Sequence, residues 1–246
     1  MNLTMLGTSH GVPSSERYTS CYMLEAGENI YIFDAGAPVI DLLLRRGKDL
    51  TKVKALFNSH FHGDHMTGGL GLITLCTWYF KDTKMDIFLP DNIASEAITN
   101  YLAAVDNIVV PNERIGFKVY EPGVIFDDGV VKVTAIPTCH FCGEEKKANA
   151  FLIEAEGKSI LYTGDMGYGD EPDDFPAVAF GRYIDVIISE GAHISVQKLA
   201  KWMDKVNTDI FAIVHANEEK FEDFEKLRDK YSFELLIGED NDEIEL

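Results

Sequence analysis

The stretch NSHFHGDHMTGG, residues 58–69, decides the fold of this chain. It places three histidines and an aspartate within six residues, directly after the apolar run at residues 53–57. The whole chain holds seven histidines, so three of them in six residues do not fit an incidental polar loop. Paired glycines at the end of the stretch can open a helix. The stretch therefore predicts a metal site that follows a strand and precedes a helix.

The spacing within this stretch favours two metal ions. On an extended or turning backbone, side chains two residues apart point the same way, so His60 and His62 can bind one cation. Asp64 and His65, half a turn further on, then face a second cation. Neutral imidazole suits zinc and its first-row neighbours, and a carboxylate offsets the charge of a dication. We expect two divalent transition-metal ions, zinc before manganese or iron.

Three later apolar runs predict strands that each lead to another candidate ligand. The runs and the ligands that follow them are residues 131–138 before His140, residues 159–164 before Asp165, and residues 210–214 before His215. Each ligand lies just past the carboxyl end of its predicted strand, as His60 does. Because such ends converge at one edge of a sheet, we expect these side chains to meet.

The order of these motifs resembles the metallo-β-lactamase superfamily: His-x-His-x-Asp-His, a strand-end His, Thr-Gly-Asp and a last strand-end His. The opening LGTSHGVP at residues 6–13, with Arg17 and FDAG at residues 33–36, is similar to the ribonuclease Z-like and cyclic-phosphodiesterase branch. The resemblance covers nearly the whole chain. It implies an α/β (α+β) fold, the four-layer αββα sandwich of two mixed β-sheets with the metals at one edge. Because nothing in the sequence reads as a linker, we expect one domain over residues 1–246.

The resemblance also implies how the ligands divide between two metals. One metal would be bound by His60, His62 and His140, and the other by Asp64, His65 and His215. Asp165 would bridge them, which lowers the repulsion between two dications and lets a shared water ionise to hydroxide near neutral pH. Asp34 would orient a metal-bound histidine and fix its tautomer. The alternative for Asp34 is a turn aspartate that caps the next segment.

A short segment after another predicted strand supplies a candidate proton donor. His193 resembles the histidine of the His-Ser-Thr segment of ribonuclease Z, and Glu190 resembles the glutamate of its nearby His-Glu-Ala-Thr segment. The match is partial, because Ser189 replaces one histidine and Ile194 interrupts the triplet. We place Asp64, Glu190 and His193 in the catalytic machinery, with His193 as the active-site acid. The alternative for His193 is a histidine in a helix-entry loop.

Hydrolysis of a small or cyclic phosphodiester is the leading function that these residues imply. A lactone, thioester or other acyl substrate is the alternative. Processing of transfer RNA 3′ ends ranks lower, because the short interval between His140 and Asp165 has no room for the long arm with which ribonuclease Z grips transfer RNA. A non-catalytic ligand sensor also ranks lower, because such proteins usually lose ligands and all seven are present.

The composition points away from polyanionic partners. The formal net charge of −19 repels nucleic acid, so we expect a small-molecule substrate, and the oligomeric state, including a homodimer, stays open. The first residues do not resemble a signal peptide and no apolar run approaches about 18 residues, which predicts a cytoplasmic protein without a membrane segment. Four cysteines suit a reducing compartment. We expect Cys139 and Cys142 to be incidental thiols, with a regulatory or extra metal-binding pair as the alternative.

Periodicity also predicts helices and their surroundings. The helices are expected at residues 39–46, 68–80, 93–106, 195–206 and 218–231. The aromatic end of the second, Trp78 and Tyr79, is expected in the core, and the acidic residues after a strand at 234–237 are expected to be a solvated tail. Residues 170–182, rich in Asp, Glu and Pro, are expected to form a rim over the site.

Overall fold

The structure is a computed structural model that describes residues 1–169 and 173–246. Within these residues the chain forms two β-sheets of seven strands each. The strands are β1 Asn2–Gly7, β2 Cys21–Ala26, β3 Asn29–Ala35, β4 Val53–Phe57, β5 Met85–Leu89, β6 Ile115–Val119, β7 Gly123–Asp127, β8 Val131–Pro137, β9 Asn149–Ala155, β10 Lys158–Tyr162, β11 Tyr183–Glu190, β12 Asn207–Val214, β13 Glu234–Ile237 and β14 Glu243–Glu245. The helices are α1 Val39–Arg45, α2 Gly63–Trp78, α3 Asn92–Asp106, α4 Val196–Met203 and α5 Phe221–Glu225.

Each sheet mixes parallel and antiparallel pairs. The first has the order β14-β1-β2-β3-β4-β5-β6 and the second the order β13-β12-β11-β10-β9-β8-β7. Strands β3 to β6 are parallel neighbours in the first sheet, as are β10 to β13 in the second. The sheets face each other across aromatic side chains. Phe57 of β4 stacks on Phe33 of β3 at 5.0 Å and meets Phe151 of β9 at 6.2 Å between ring centroids.

Helices cover the outer face of both sheets. Leu43 of α1, Ile73 of α2 and Ile98 of α3 are buried in one apolar cluster with the first sheet. Trp202 of α4 and Phe224 of α5 are buried in another with the second sheet. The layers are therefore helices, sheet, sheet and helices, which confirms the predicted αββα sandwich of two mixed sheets. No helix in the described part of the chain combines the length and apolar character that crossing a bilayer requires.

The helix after the metal motif begins earlier than the sequence pattern predicted. Its first residue is Gly63 rather than Gly68, and His62, in an extended conformation, precedes it. Asp64 and His65 therefore lie in the first helical turn. At the other end, Trp78 and Tyr79 are 48% and 75% exposed, so their placement in the core was wrong. The helix ends at Trp78, and its buried face runs through earlier residues.

Two predictions for the end of the chain were also wrong. The helix expected at residues 218–231 is divided into the 3₁₀ turn Glu218–Lys220, α5, and the 3₁₀ turn Arg228–Lys230. The acidic tail forms β14, which pairs antiparallel with β1 through Leu3 and Ile244. Ile244 is buried while its neighbours Glu243 and Glu245 are exposed, which is the alternation of an edge strand.

The rim expected at residues 170–182 is described only in part. Residues 170–172 lie outside the described residues. In the remainder, Phe175 packs against Trp202 at 5.1 Å between ring centroids, and Asp173 accepts a hydrogen bond from the same indole. This part of the segment therefore lies on α4.

Candidate metal centre

The ends of β4 and β8 bring three histidines together, which we call the three-histidine group (His60, His62, His140). Nδ1 of His62 lies 3.1 Å from Nε2 of His60 and 3.2 Å from Nε2 of His140. Asp165, which follows β10, places Oδ2 3.5 Å from Nε2 of His60 and 3.9 Å from Nε2 of His140. These four residues can offer one ligand atom each to a single ion.

The first turn of α2 and the end of β12 form a second group, which we call the carboxylate group (Asp64, His65, His215). Oδ2 of Asp64 lies 3.5 Å from Nε2 of His65 and 4.0 Å from Nε2 of His215. Asp165 is also close to this group, with Oδ1 3.3 Å from Nε2 of His65 and Oδ2 3.5 Å from Nε2 of His215. All seven predicted ligands therefore meet, with Asp165 between the two groups.

The cluster fits divalent metal ions. Nε2 of His65 and Oδ1 of Asp165 are buried and lie 3.3 Å apart, and neither makes a well-oriented hydrogen bond among the described residues. Leaving such an atom unpaired costs about 1–3 kcal/mol, and more when it is charged. A cation between the two groups would pair both atoms, and imidazole with carboxylate is a donor set that first-row transition metals accept.

Four imidazoles contact a hydrogen-bond partner through Nδ1, the ring nitrogen that faces away from the centre of the cluster. The pairs are His60 Nδ1 with Ser59 Oγ at 3.1 Å, His65 Nδ1 with Asp34 Oδ2 at 2.7 Å, His140 Nδ1 with the Met166 carbonyl at 3.1 Å, and His215 Nδ1 with Ser20 Oγ at 2.9 Å. Each contact directs Nε2 of its imidazole toward the centre. The cluster is thus organised by hydrogen bonds within the chain itself.

Asp34 is the most heavily bonded of these partners. It lies near the end of β3 with φ 54°, and it accepts hydrogen bonds from the backbone N–H and hydroxyl of Ser59 and from the hydroxyl of Tyr162. Its contact with His65, a predicted ligand, is compatible with the role that the resemblance implied, the orientation of a metal-bound histidine. The alternative, an aspartate that caps the next segment, does not fit, because the residue preceding α1 is Pro38.

His65 of the carboxylate group differs in its pKa from His60 of the three-histidine group. Burial, followed by the positive charge of His65, holds the pKa of His60 well below its usual value. Burial would also lower the pKa of His65, but the charges of Asp165 and Asp34 outweigh it and raise that pKa well above its usual value. Burial would raise the pKa of Asp165, but neighbouring imidazoles, His215 first, hold it well below its usual range. His65 therefore binds a proton more tightly than His60.

His193 and Glu190 lie beside the cluster. Nδ1 of His193 is 3.0 Å from Oε2 of Glu190 and 3.8 Å from Oδ2 of Asp165. Burial would lower the pKa of His193, but the hydrogen bond and charge of Glu190 outweigh it, so the pKa is raised. The structure thus places the predicted proton donor next to the predicted bridging ligand.

Sequence reasoning missed two aromatic residues at the site. The ring of Tyr168 stacks on His140 at 5.4 Å and meets His193 edge-on at 4.5 Å, while Tyr168 stays 64% exposed. Phe141 lies 4.8 Å from both His62 and His140. Each follows a predicted ligand by one or three residues, and that proximity in sequence is the signal that could have revealed them.

The prediction that Cys139 and Cys142 are incidental thiols was wrong. The two form a disulfide, with their Cα atoms 4.7 Å apart. A turn supports this approach, because the N–H of Cys142 donates to the carbonyl of Cys139. The disulfide therefore encloses His140 of the three-histidine group.

The fold and the cluster together define a ribonuclease Z-like member of the metallo-β-lactamase superfamily, which confirms the predicted resemblance. The chain matches the family described as "Anti-Pycsar protein Apyc1" over residues 1–236. It therefore belongs to that family.

Similar proteins agree with this class. A ribonuclease Z of Listeria monocytogenes is 33% identical over 138 residues, which cover 55% of this chain and 44% of that protein, so the chain matches less than half the length of this relative. The metallo-β-lactamase fold protein YhfI of Bacillus subtilis has a TM-score of 0.78 at 17% identity, with 99% of each chain covered. Unliganded PDE1 of yeast has the same TM-score at 13% identity, covering 100% of this chain and 99% of its own. The two structures show the shared fold.

Proposed function

We propose that this chain is a metal-dependent hydrolase with a dinuclear site, acting as a phosphodiesterase on small or cyclic phosphodiesters. The observation that carries the proposal is the position of Asp165, whose carboxylate lies within 3.5 Å of nitrogens from both ligand groups. Two divalent ions, zinc in our proposal, would supply an activated water and hold a non-bridging phosphoryl oxygen. An acyl substrate such as a lactone or thioester stays the alternative.

The chain's own residues would divide the work of the reaction. Asp165 and Asp64 would place negative charge where two cations approach each other. Glu190 holds Nδ1 of His193 and leaves Nε2 of that ring to donate a proton to the departing alkoxide. Proton donation by a positioned side chain contributes about 10² to 10⁴-fold to a rate.

A cavity opens near His215, although none of the seven predicted ligands lines it. A cavity of about 470 Å³ lies beside His10, whose ring centroid is 6.4 Å from that of His215. Val12 lines one part of the cavity, and Glu218 and Glu219 line another. Volumes of about 300–1,000 Å³ are typical of small-molecule sites.

A substrate panel tests the proposed reaction. The purified protein would be loaded with zinc, manganese or iron and offered bis-nitrophenyl phosphate, cyclic nucleotides, lactones and thioesters. We expect phosphodiesters to be the best substrates by kcat/KM. A preference for lactones or thioesters would replace the phosphodiesterase proposal with the acyl alternative.

A substitution tests the proton donor within the same panel. H193A should slow the cleavage of nucleoside diesters far more than that of nitrophenyl diesters, whose leaving group departs without help. Metal content should not change. K226M changes an exposed lysine that pairs with Glu222 and Asp223, and this control should show no dependence on the leaving group. Equal losses on both substrates, or lost metal, would show that His193 is structural or a ligand.

An RNA substrate is the second candidate, because the Listeria relative is named ribonuclease Z. Against it stands the formal net charge of −19, which repels a long polyanion more strongly than a small diester. We expect transfer RNA precursors to be cleaved slowly compared with small diesters. Efficient cleavage that weakens steeply with salt would favour the RNA candidate instead.

We propose a homodimer as the assembly of this chain. Three apolar side chains of α3, Ile93, Tyr101 and Val105, are 43%, 47% and 50% exposed, and their separations of eight and four residues place them on one face of the helix. We propose that this face packs against a second copy of the chain. Light scattering should give twice the chain mass for the wild type and the single chain mass for Y101E.

A cytoplasmic location stays a prediction from the sequence.

A further inference from the structure

The loop that carries His193, residues 191–194, is held on its N–H side by one carboxylate. Oε2 of Glu190 accepts hydrogen bonds from the backbone N–H of Ala192 at 3.1 Å and of His193 at 2.9 Å. The same carboxylate accepts from the backbone N–H of Met166 and contacts Nδ1 of His193. Glu190 therefore fixes the imidazole and the backbone that bears it.

The carbonyl side of the same loop is held by one ammonium group. Nζ of Lys220 donates to the carbonyls of Gly191 at 2.8 Å, Ala192 at 2.7 Å and Ile194 at 2.8 Å. A lysine ammonium has three N–H donors, and here each has its own acceptor. Two peptide groups, those that join residues 191–192 and 192–193, are thus hydrogen-bonded on both sides. Lys220 donates to the carbonyl of each, and Glu190 accepts from the N–H of each.

Further hydrogen bonds and close packing restrict the backbone conformation of this loop. The N–H of Gly191 donates to the carbonyl of Val214 at 3.0 Å, and the carbonyl of His193 accepts from the N–H of Gly169 at 2.9 Å. A side chain at Gly191 would meet Ala216 and Phe224 at 3.0 Å. Lys220 also ends the short turn that follows the ligand His215, so it connects that ligand's loop to the loop of His193.

We propose that Lys220 is a positioning residue for His193, holding the loop at residues 191–194 so that the imidazole stays beside the metal cluster. This role rests on the proposed function, in which His193 donates the proton to the leaving group. Lys220 itself does not contact the reacting atoms. Its loss should therefore reproduce part of the loss of His193, and only for substrates that need a proton donor.

The test compares K220M and K220R in the metal-loaded protein, with K226M as the matched control. Lys226 is an exposed lysine that pairs with Glu222 and Asp223 away from the loop. K220M should lower kcat on a cyclic nucleotide by about tenfold or more, a part of the ~10² to 10⁴-fold that a general acid supplies. The kcat on bis-nitrophenyl phosphate should change by less than about twofold, with KM and metal content unchanged. K220R should recover most of the activity, and K226M should match the wild type.

A double variant shows whether Lys220 acts through His193. If it does, H193A/K220M should be no slower on the cyclic nucleotide than H193A alone, because the effects of coupled residues are not additive. Equal losses on both substrates in K220M, or a full additional loss in the double variant, would overturn the proposal.

Amide hydrogen exchange separates failure of this inference from failure of the proposed function. If the wild type cleaves no phosphodiester, the proposed function fails, but exchange at residues 191–194 still reports on Lys220. K220M should raise the exchange rate of this loop and K226M should not. Unchanged exchange of the loop in K220M would overturn the positioning role whatever the substrate is.

Discussion

The two ligand groups of the cluster are built on different principles. The three-histidine group contacts one carboxylate, Asp165, and the partners behind His60 and His140 are a hydroxyl and a backbone carbonyl. The carboxylate group contains Asp64, shares Asp165, and has Asp34 behind His65. Negative charge is therefore concentrated on one side of the cluster.

The difference in charge determines how each ligand group would interact with a cation. His60 and His62 of the three-histidine group bind a proton weakly, since burial holds the pKa of His60 well below its usual value and lowers that of His62. The carboxylate group attracts a cation more strongly through its charge, but a proton on His65 competes for the same place. The two sites that we propose would therefore differ in their dependence on charge and pH.

We expect the greatest loss of metal and activity from removing the aspartate that lies between the two ligand groups. D165A removes the residue that both groups share, so metal content should fall below the two ions per chain that we expect and activity should fall by more than about 100-fold, the upper range for loss of an outer partner. Metal analysis and phosphodiesterase assays would measure both. D185N is the control, because Asp185 is a buried carboxylate at the start of β11, away from the cluster. Retention of two ions by D165A would show that the aspartate does not bridge them.

The next effect should fall more heavily on one group, because Asp34 contacts His65 directly and reaches His60 only through the hydroxyl of Ser59. D34N keeps the shape of the side chain but removes the charge behind His65, and losses of such partners cost about 10- to 100-fold in metal affinity. Competition with a chelator should show that one ion is weakened more than the other. If both ions weaken equally, the charge of Asp34 acts on the whole cluster and the division into two groups is wrong.

The sequence predicted the cluster well because most of its ligands follow local rules. His60, His140, Asp165 and His215 each come directly or shortly after a strand, and strand ends meet by topology. The contacts behind them depend on tertiary structure. Ser20 reaches His215 across 195 positions of sequence and Tyr162 reaches Asp34 across 128, so no local pattern could reveal either.

Two predicted segments were wrong because their local sequence is compatible with more than one structure. Residues 63–67 contain a glycine, a histidine and an aspartate, which do not favour a helix interior, and yet α2 begins there. Acidic residues at the end of the chain suggested a solvated tail, although Ile244 lies between two of them in the alternation of a strand. In both cases tertiary packing decided the outcome.

The two ligand groups should also differ in how their metal binding depends on pH. In the metal-free protein the raised pKa of His65 contributes stability that is fully present below about pH 6.5, the unfolded value, and is lost as pH rises through the raised pKa. Metal must displace this proton, so loading the carboxylate group should release about one proton per chain.

Zinc titration in weakly buffered solution with a pH indicator would measure this release. D34N should reduce it, because removing the charge of Asp34 lowers the pKa of His65. The melting temperature of the metal-free wild type should also fall at alkaline pH more than that of D34N. Equal proton release by both variants would show that His65 is neutral before the metal binds.

The smallest expected effect compares a neutral outer partner with a charged one. Ser20 and Asp34 hold His215 and His65 of the same group through the same ring nitrogen, at 2.9 Å and 2.7 Å. A neutral hydrogen bond contributes about 0.5–1.5 kcal/mol, whereas a charge-assisted one is roughly twice as strong. S20A should therefore weaken one ion by no more than about tenfold, less than D34N. It should not alter proton release, since the hydroxyl carries no charge. The same chelator competition would measure it, with thermal melting to confirm that the buried alanine leaves the fold intact. If S20A and D34N cost the same, orientation of the imidazoles and not charge would explain what outer partners do, and the contrast between the two groups would reduce to geometry.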